Sequence, residues 1–432
     1  MSGFEIIAGL VTLAAVSSYL NHRFIGLPTT IALMLFGLGF SLLLLVVGRS
    51  VPSVEADAIA ILERIDFDDA LMHGMLGFLL FAGALHVDLD DLAEQRGVVA
   101  LLASAGLMIS TFAVGGLMYL VLGFLGLSVP FVICLLFGSL ISPTDPIAVL
   151  SILKTLAVPK SLEIKIAGES LFNDGFAVVA FLAILGAAGL GGHVEQDSIM
   201  LGVVKLFLVE ALGGALFGLA IGWIAYRAIR SVDQYDVEIL ISLALVSGGY
   251  ALASALHLSG PIAMVVAGLL IGNHGRRFAM SETTREHLDT FWKLVDEILN
   301  AVLFVLIGLE VLVLTFRGVW VEAAAIAIPV TLVARALGVG LPLALMRRFR
   351  SFTPHAYPVL VWGGLRGGIS VALALSLSGS LGIVDRSAYE GILVMTYVVV
   401  LFSIGVQGLT MRPLLVRLGV ASDTSADSSA GH

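Results

Sequence analysis

The sequence predicts an all-α polytopic membrane protein of about 13 transmembrane helices. It is built as two inverted six-helix repeats with crossing broken helices at spans 5 and 12. Three observations carry that prediction. Of 432 residues, 59% are hydrophobic and 13% charged, against about 25% charged in soluble domains, and the mean hydropathy is +1.04. Apolar runs of spanning length recur from one end to the other. Two of those runs, at corresponding places in the two halves, are interrupted by prolines or glycines around a charge.

The spans follow in order. Residues 4–21 lack the basic start of a signal peptide and read as a genuine first span. The runs 27–48, 68–87 and 97–124 supply spans 2–4, and 129–153 and 161–187 supply spans 5 and 6. Span 7 is 199–229, and 236–256 and 259–273 are spans 8 and 9. The amphipathic stretch 276–295 leads into span 10 at 289–315, followed by 318–347, 355–379 and 387–415. The tail 421–432, ASDTSADSSAGH, is polar, short and expected to be disordered.

Orientation comes from the basic residues. Sixteen of the 23 Lys and Arg fall on one side of this threading. Five fall on the other (Arg49, Arg64, Lys205, Arg317 and Arg386), leaving Arg335 and Arg366 inside spans. The richer side is expected to be cytoplasmic. With an odd number of spans the N-terminus is then outside and the C-terminus inside a cell membrane. The single Cys134 excludes an internal disulfide and a Cys-based metal site. The net charge of −9 gives no sign of a nucleic-acid partner.

Five ionisable groups fall near mid-depth: Asp145 in span 5, Glu169 and Asp174 in span 6, Arg335 in span 11 and Arg366 in span 12. Each costs about 2.5–3.5 kcal/mol on insertion scales, so together they imply a shared polar site. In span 5, Pro143 and Pro146 bracket Thr144 and Asp145. Proline removes a backbone donor and clashes with the preceding turn, so the helix should break at 142–146. In span 12, four glycines flank Leu365 and Arg366 and predict a second break. Broken helices at matching positions of inverted repeats mark the binding site of a secondary transporter. Asp145 and Arg366 are charges suited to the exposed half-helix dipoles.

Span 6 carries GESLFNDG at 168–175. Glu169 and Asn173 are four apart, as are Ser170 and Asp174, making adjacent columns on one face. Ser170 and Asp174 offer hard oxygens to Na⁺, Li⁺ or K⁺, and a freed carbonyl at Thr144 adds another. A poorly solvated carboxylate holds a proton or a cation but not both, so competition at Asp174 alone couples the two flows. The neutral Asn173 beside it limits each half-cycle to one charge, which makes exchange electroneutral. Glu169 needs a partner, and Arg335 of span 11 is the candidate for a structural pair.

With SPTDP, GESLFNDG, LVARALGV and GGLRGG in this order, the chain resembles the monovalent cation/proton antiporter family of bacterial NhaP-type and animal NHE-type Na⁺/H⁺ exchangers. The resemblance implies 13 helices, a homodimer in lipid, elevator-like alternating access, and no cofactor beyond the transported cation. It implies a core bundle including about 68–187 and 289–379 and a dimerisation part including about 4–48 and 199–273, within one unit of residues 1–420. It also implies Asp174 as the exchanging carboxylate, Ser170 and Thr144 as further ligands, the Glu169–Arg335 pair, and the Asn–Asp pair of the electroneutral branch. One departure stands out. Where many relatives have an acid in span 3, LLFAGALHVDL has Ala82.

Other readings fare worse. A cation-coupled organic-solute transporter needs an aromatic or basic pocket that no span supplies. An intramembrane aspartyl protease would use Asp145 and Asp174 as a dyad, without the GxGD pattern, and no HExxH is present for a zinc enzyme. The chain is therefore not expected to be an enzyme. Histidines 22, 73, 86, 193, 257, 274, 287, 355 and 432 fall at loops or span ends, and Asp88, Asp90 and Asp91 in a solvated loop.

Overall fold

The computed structural model describes residues 3–51, 53, 58–60, 62, 67, 70–156, 158–189, 199–314, 316, 318–348, 352–380 and 385–420. The tail 421–432, His193, His432, and Arg64, Arg317 and Arg350 of the basic-residue tally lie outside the described residues. Helices follow one another along the chain, with no strand among the described residues. They are α1 (Gly3–Leu20), α2 (Thr29–Gly48), α3 (Leu76–Leu85), α4 (Leu89–Leu101), α5 (Leu107–Phe124), α6 (Phe131–Ile141), α7 (Ile147–Thr155), α8 (Lys160–Ala187) and α9 (Ile199–Arg230). The rest are α10 (Tyr235–Ala255), α11 (Gly260–Leu270), α12 (Glu282–Leu309), α13 (Gly318–Met346), α14 (Ala356–Trp362), α15 (Gly368–Ser376), α16 (Arg386–Phe402) and α17 (Gly408–Arg417).

Eight described helical runs are long and apolar enough to cross a membrane. Three of the expected spans that do not qualify show why. Spans 5 and 12 are each cut into two short helices, and α12 carries charges from Glu282 as far as Glu297, past its midpoint. Continuity elsewhere is kept by wide turns with i→i+5 bonds. Such turns join α4 to α5 at Leu102–Gly106 and α16 to α17 at Ser403–Gln407.

The stretch read as an amphipathic lead-in is largely the first turns of α12 itself, capped by Ser281 Oγ accepting from Thr284 N at 3.3 Å. Helix α4 likewise starts earlier than expected. Asp88 accepts from Asp90 N and Asp91 N at 2.8 and 3.3 Å, so the acidic loop is also an N-cap. Lys165, tallied with the basic loops, is instead buried in α8 with its ammonium 5.7 Å from the centroid of the Phe352 ring.

Two packing patterns position the site. Helix α12 lies against α2 through small residues. A Cβ added at Gly37 would strike Val305 O, one added at Gly308 would strike Met34 O, and Ser41 Oγ donates to Gly308 O at 2.9 Å. Close backbone approach of this kind is how helices adhere in lipid, where the hydrophobic effect does not drive them together. Helix α3 packs on α11 and α12, and α11 on α9. A second set comprises α5 against α6 and α13, α8 against α4 and α6, and α16 against α13 and α15. The two broken helices, α6–α7 and α14–α15, belong with this second set.

Candidate functional site: the helix crossover and Asp174

The breaks occur where the sequence placed them. Helix α6 ends at Ile141 and α7 begins at Ile147, while α14 ends at Trp362 and α15 begins at Gly368. The two interruptions meet: Asp145 N donates to Leu365 O at 2.8 Å, joining one extended stretch to the other. Each helix end in this junction has orphan backbone groups and a partial charge, and these need partners where water is scarce.

Three charged side chains supply those partners. Arg366 Nη1 donates to Pro143 O at 2.9 Å and also to Ser142 O, placing a cation at the negative end of α6. Asp145 Oδ1 accepts from Ile147 N at 2.9 Å, an anion at the positive end of α7. The same carboxylate lies where a Cβ on Gly367 would be, so it also faces the start of α15. That position must be glycine for the acid to approach. Arg335 Nη2 and Nε donate to Leu360 O at 2.9 and 3.3 Å, which serves the negative end of α14. Arg366 N donates to Ser403 Oγ at 2.9 Å, and Gln407 Nε2 to Trp362 O at 3.0 Å, tying the junction to α16 and its wide turn.

Arg335 also meets Glu169. Its Nη2 reaches Oε2 at 3.0 Å and its Nη1 pairs with Oε1, a bidentate contact between side chains only 8% and 2% exposed. The expected pair is therefore present, and it does more than neutralise two charges, because one guanidinium bridges α8 to the end of α14.

On α8 the neighbouring column turns to the α6–α7 break. Asn173 Nδ2 donates to Thr144 Oγ1 at 2.9 Å, and Asn173 Oδ1 accepts from Thr144 N at 3.4 Å. Ser170 Oγ lies 3.0 Å from Thr144 Oγ1. An aspartate at 173 could accept but not donate, so it would draw on the proton of Thr144 Oγ1, whereas the amide donates to that oxygen and leaves its proton free. Asp174, 9% exposed, lies with Thr144, Asp145 and Pro143 on the wall of a cavity of about 1560 Å³. His86, Asp296 and Glu297 line the same cavity further out. These residues, with Arg412 of α17 on the same wall, belong to the side expected to be rich in Lys and Arg. Ala82, the departure in span 3, is buried and also borders this cavity.

The structure thus gathers all eight residues the sequence singled out: Thr144, Asp145, Glu169, Ser170, Asn173, Asp174, Arg335 and Arg366. Sequence reasoning missed Ser403, Gln407 and the carbonyl of Leu360. A Gln in an apolar run was the only legible sign among them. Among the described residues no group of three or more His, Cys, Asp or Glu is placed to hold a metal ion. Asp145 is bonded to the backbone at the start of α7, an unsuitable state for one half of a protease dyad.

A chain whose described residues form helices but no strand, with two interrupted helices meeting at buried, compensated charges beside a large cavity, has the make-up of a secondary ion transporter. Comparison with known proteins makes the assignment specific. Residues 11–417 match the family described as sodium/hydrogen exchanger, transmembrane, and the chain belongs to that family. It is 50% identical over 421 residues to the Na⁺/H⁺ antiporter NhaP of Pseudomonas aeruginosa, covering 96% of each chain. It is 36% identical to the Na⁺/H⁺ antiporter NhaH of Halobacillus aidingensis, covering 96% of this chain and 97% of that one. Its fold is similar to that of the sodium proton antiporter MjNhaP1 from Methanocaldococcus jannaschii, with a TM-score of 0.74, 20% identity, and coverage of 97% of this chain and 99% of that one.

Proposed function

We propose that the chain exchanges Na⁺, or Li⁺ or K⁺, for H⁺ across a cell membrane, with proton and cation competing for Asp174. The observation that carries this reading is the position of Asp174. It is a carboxylate on the wall of a deep cavity, beside the Thr144–Ser170 hydroxyl pair, while the neighbouring charges are bonded elsewhere. With Asn173 donating into one lone pair of Thr144 Oγ1, Ser170 can donate into the other. The lone pairs of Ser170 are then free to join Asp174 as hard oxygen ligands. Asn173 serves to position Thr144, and its neutrality leaves one exchanging charge in the site. Exchange is then one-for-one and electroneutral, and the only metal involved is the transported cation.

In the proposed cycle the second packing set moves as a core against a frame of α1, α2 and α9–α11. Helices α3, α8 and α12 of the core lie along that frame, against α11, α9 and α2. The frame presents exposed apolar residues, among them Phe4 and Tyr19 of α1 and Leu216 and Trp223 of α9, suited to lipid or to a second copy in a homodimer. Thirteen spans in two inverted repeats, with the N-terminus outside and the cavity open to the cytoplasm, complete the proposal.

The test is exchange by purified protein in proteoliposomes, with internal pH followed as each cation is added. The wild-type protein should move protons against Na⁺. Asp174→Asn should abolish that flux while its thermal melt stays within a few degrees of wild type. Sustained sodium-dependent proton flux in Asp174→Asn would sink the assignment.

A further inference from the structure

The first interrupted helix brings Thr144 to the cavity, and the second brings a hydroxyl there that nothing uses. Ser370 lies in the first turn of α15, is 1% exposed, and lines the cavity together with Asp174, Asp145 and Thr144. Its Oγ is buried and makes no hydrogen bond. Other buried hydroxyls of the core bond to a carbonyl four residues back. Ser142 Oγ donates to Gly138 O at 2.6 Å, and Thr396 Oγ1 to Ile392 O at 2.7 Å. The carbonyls three and four residues behind Ser370 belong to Gly367 and Arg366, in the interrupted stretch, and the hydroxyl takes neither. The helix break therefore leaves the proton and both lone pairs of Ser370 unused.

The break also fixes where that hydroxyl stands. Gly367 is the N-cap of α15, and Ser370 is the third helical residue after it. The side chains of these two positions are neighbours, as in a capping box. Gly367 has no side chain, and the Asp145 carboxylate fills the space its Cβ would take. Ser370 therefore stands beside the Asp145 carboxylate without bonding to it. Thr144, the residue before Asp145, is held in turn by Asn173 and lies 3.0 Å from Ser170 Oγ, both on α8. Helix α15 also packs directly on α8. Asp174 and Ser170 from α8, Thr144 from the first break and Ser370 from the second all belong to the second packing set. They keep their arrangement as that set moves. An unmade hydrogen bond on a buried hydroxyl is costly, and a ligand admitted by the cavity would relieve it.

We propose that Ser370 Oγ is a further ligand of the transported monovalent cation, reaching it from the second interrupted helix while the cation is held at Asp174. Asp174 supplies the charge, and the hydroxyls of Ser170 and Ser370 supply neutral hard oxygens from two different helices. A hydroxyl adds no charge, so one-for-one exchange is preserved.

The inference rests on the antiport reading, so its test has a binding arm and a transport arm. Purified protein is melted in detergent in choline chloride and across a sodium series, and the same protein is reconstituted for exchange. Ser370→Ala should raise the apparent KM for Na⁺ about fivefold, the loss expected for one neutral contact. Its Vmax should stay within about twofold of wild type. The sodium concentration giving half of the thermal stabilisation should rise by the same factor as KM. In choline, Ser370→Ala should melt at or above wild type, because it discards an unsatisfied hydroxyl. Ser370→Cys nearly keeps the volume but offers sulfur to a hard cation. It should show the same rise, and it decides the matter if Ser370→Ala does not assemble. A KM and a half-stabilising concentration within about twofold of wild type would overturn the ligand role. A lower melt in choline would do so too, since it marks a hydroxyl that holds the fold. Absence of exchange by the wild-type protein would overturn the antiport reading instead, and the sodium-dependent melts would then decide on Ser370.

Discussion

Removing the carboxylate of Glu169 should destabilise the protein through the arginine it leaves behind. Arg335 is held by both oxygens of Glu169 and by the carbonyl of Leu360. In Glu169→Ala the carbonyl remains, but it cannot neutralise a guanidinium whose side chain is only 8% exposed. Breaking a buried pair in this way costs about 3–5 kcal/mol. With an unfolding entropy of about 2.1 cal/mol/K per residue, that loss lowers the melting temperature of a chain this size by about 3–6 °C. A membrane bundle keeps much of its helix when it unfolds, so its entropy change is smaller and this shift is a lower bound. The assay is thermal melting of detergent-solubilised protein. A double variant, Glu169→Ala with Arg335→Ala, should melt above Glu169→Ala alone, since it removes the stranded charge. It should stay below wild type, because the α14 carbonyl loses its partner. A Glu169→Ala protein that melts like wild type would refute the reasoning.

Two further outcomes concern transport. Asp145→Ala leaves the starts of α7 and α15 without their anion, so exchange should fall about tenfold or more while equilibrium cation binding persists. Loss of binding in a folded Asp145→Ala protein would make Asp145 a direct ligand instead. A valinomycin-clamped membrane potential should leave the sodium–proton equilibrium position unchanged, once K⁺ has been excluded as a substrate. A shift with potential would require a second titrating group in the cycle, and Glu169 would be the first suspect.

Much of the site was legible because the membrane makes certain residues expensive. Asp145, Glu169, Asp174, Arg335 and Arg366 stand out in apolar runs, and the prolines and glycines around two of them foretold the breaks. Residues without that cost were silent. Ser403 is one hydroxyl among many, and Leu360 contributes only a carbonyl. The hydropathy of 289–315 marked a span, but it could not show that α12 meets α2 through Gly37 and Gly308, since helix pairing depends on shape. Glu310 is buried although it lies near a span end, where an acid reads as interfacial. Only the packed structure shows it covered. The double service of Arg335 was equally hidden, because a pairing rule stops once one partner has been found.

The four compensating charges at the crossover have a kinetic consequence. Asp145 and Glu169 cancel Arg335 and Arg366, so the junction is neutral apart from Asp174. In the proposed cycle, Asp174 carrying either a proton or Na⁺ makes the crossover neutral, and only the empty form leaves a net charge there. Taking such a charge through the apolar middle costs about 2.5–3.5 kcal/mol, which suppresses the empty crossing about 70- to 400-fold. The carrier then returns only with a passenger, and a sodium gradient cannot drain through idle turns. Sodium efflux with no counter-ion on offer should therefore run about 70-fold or more slower than exchange, and efflux at a comparable rate would show that the junction crosses while charged.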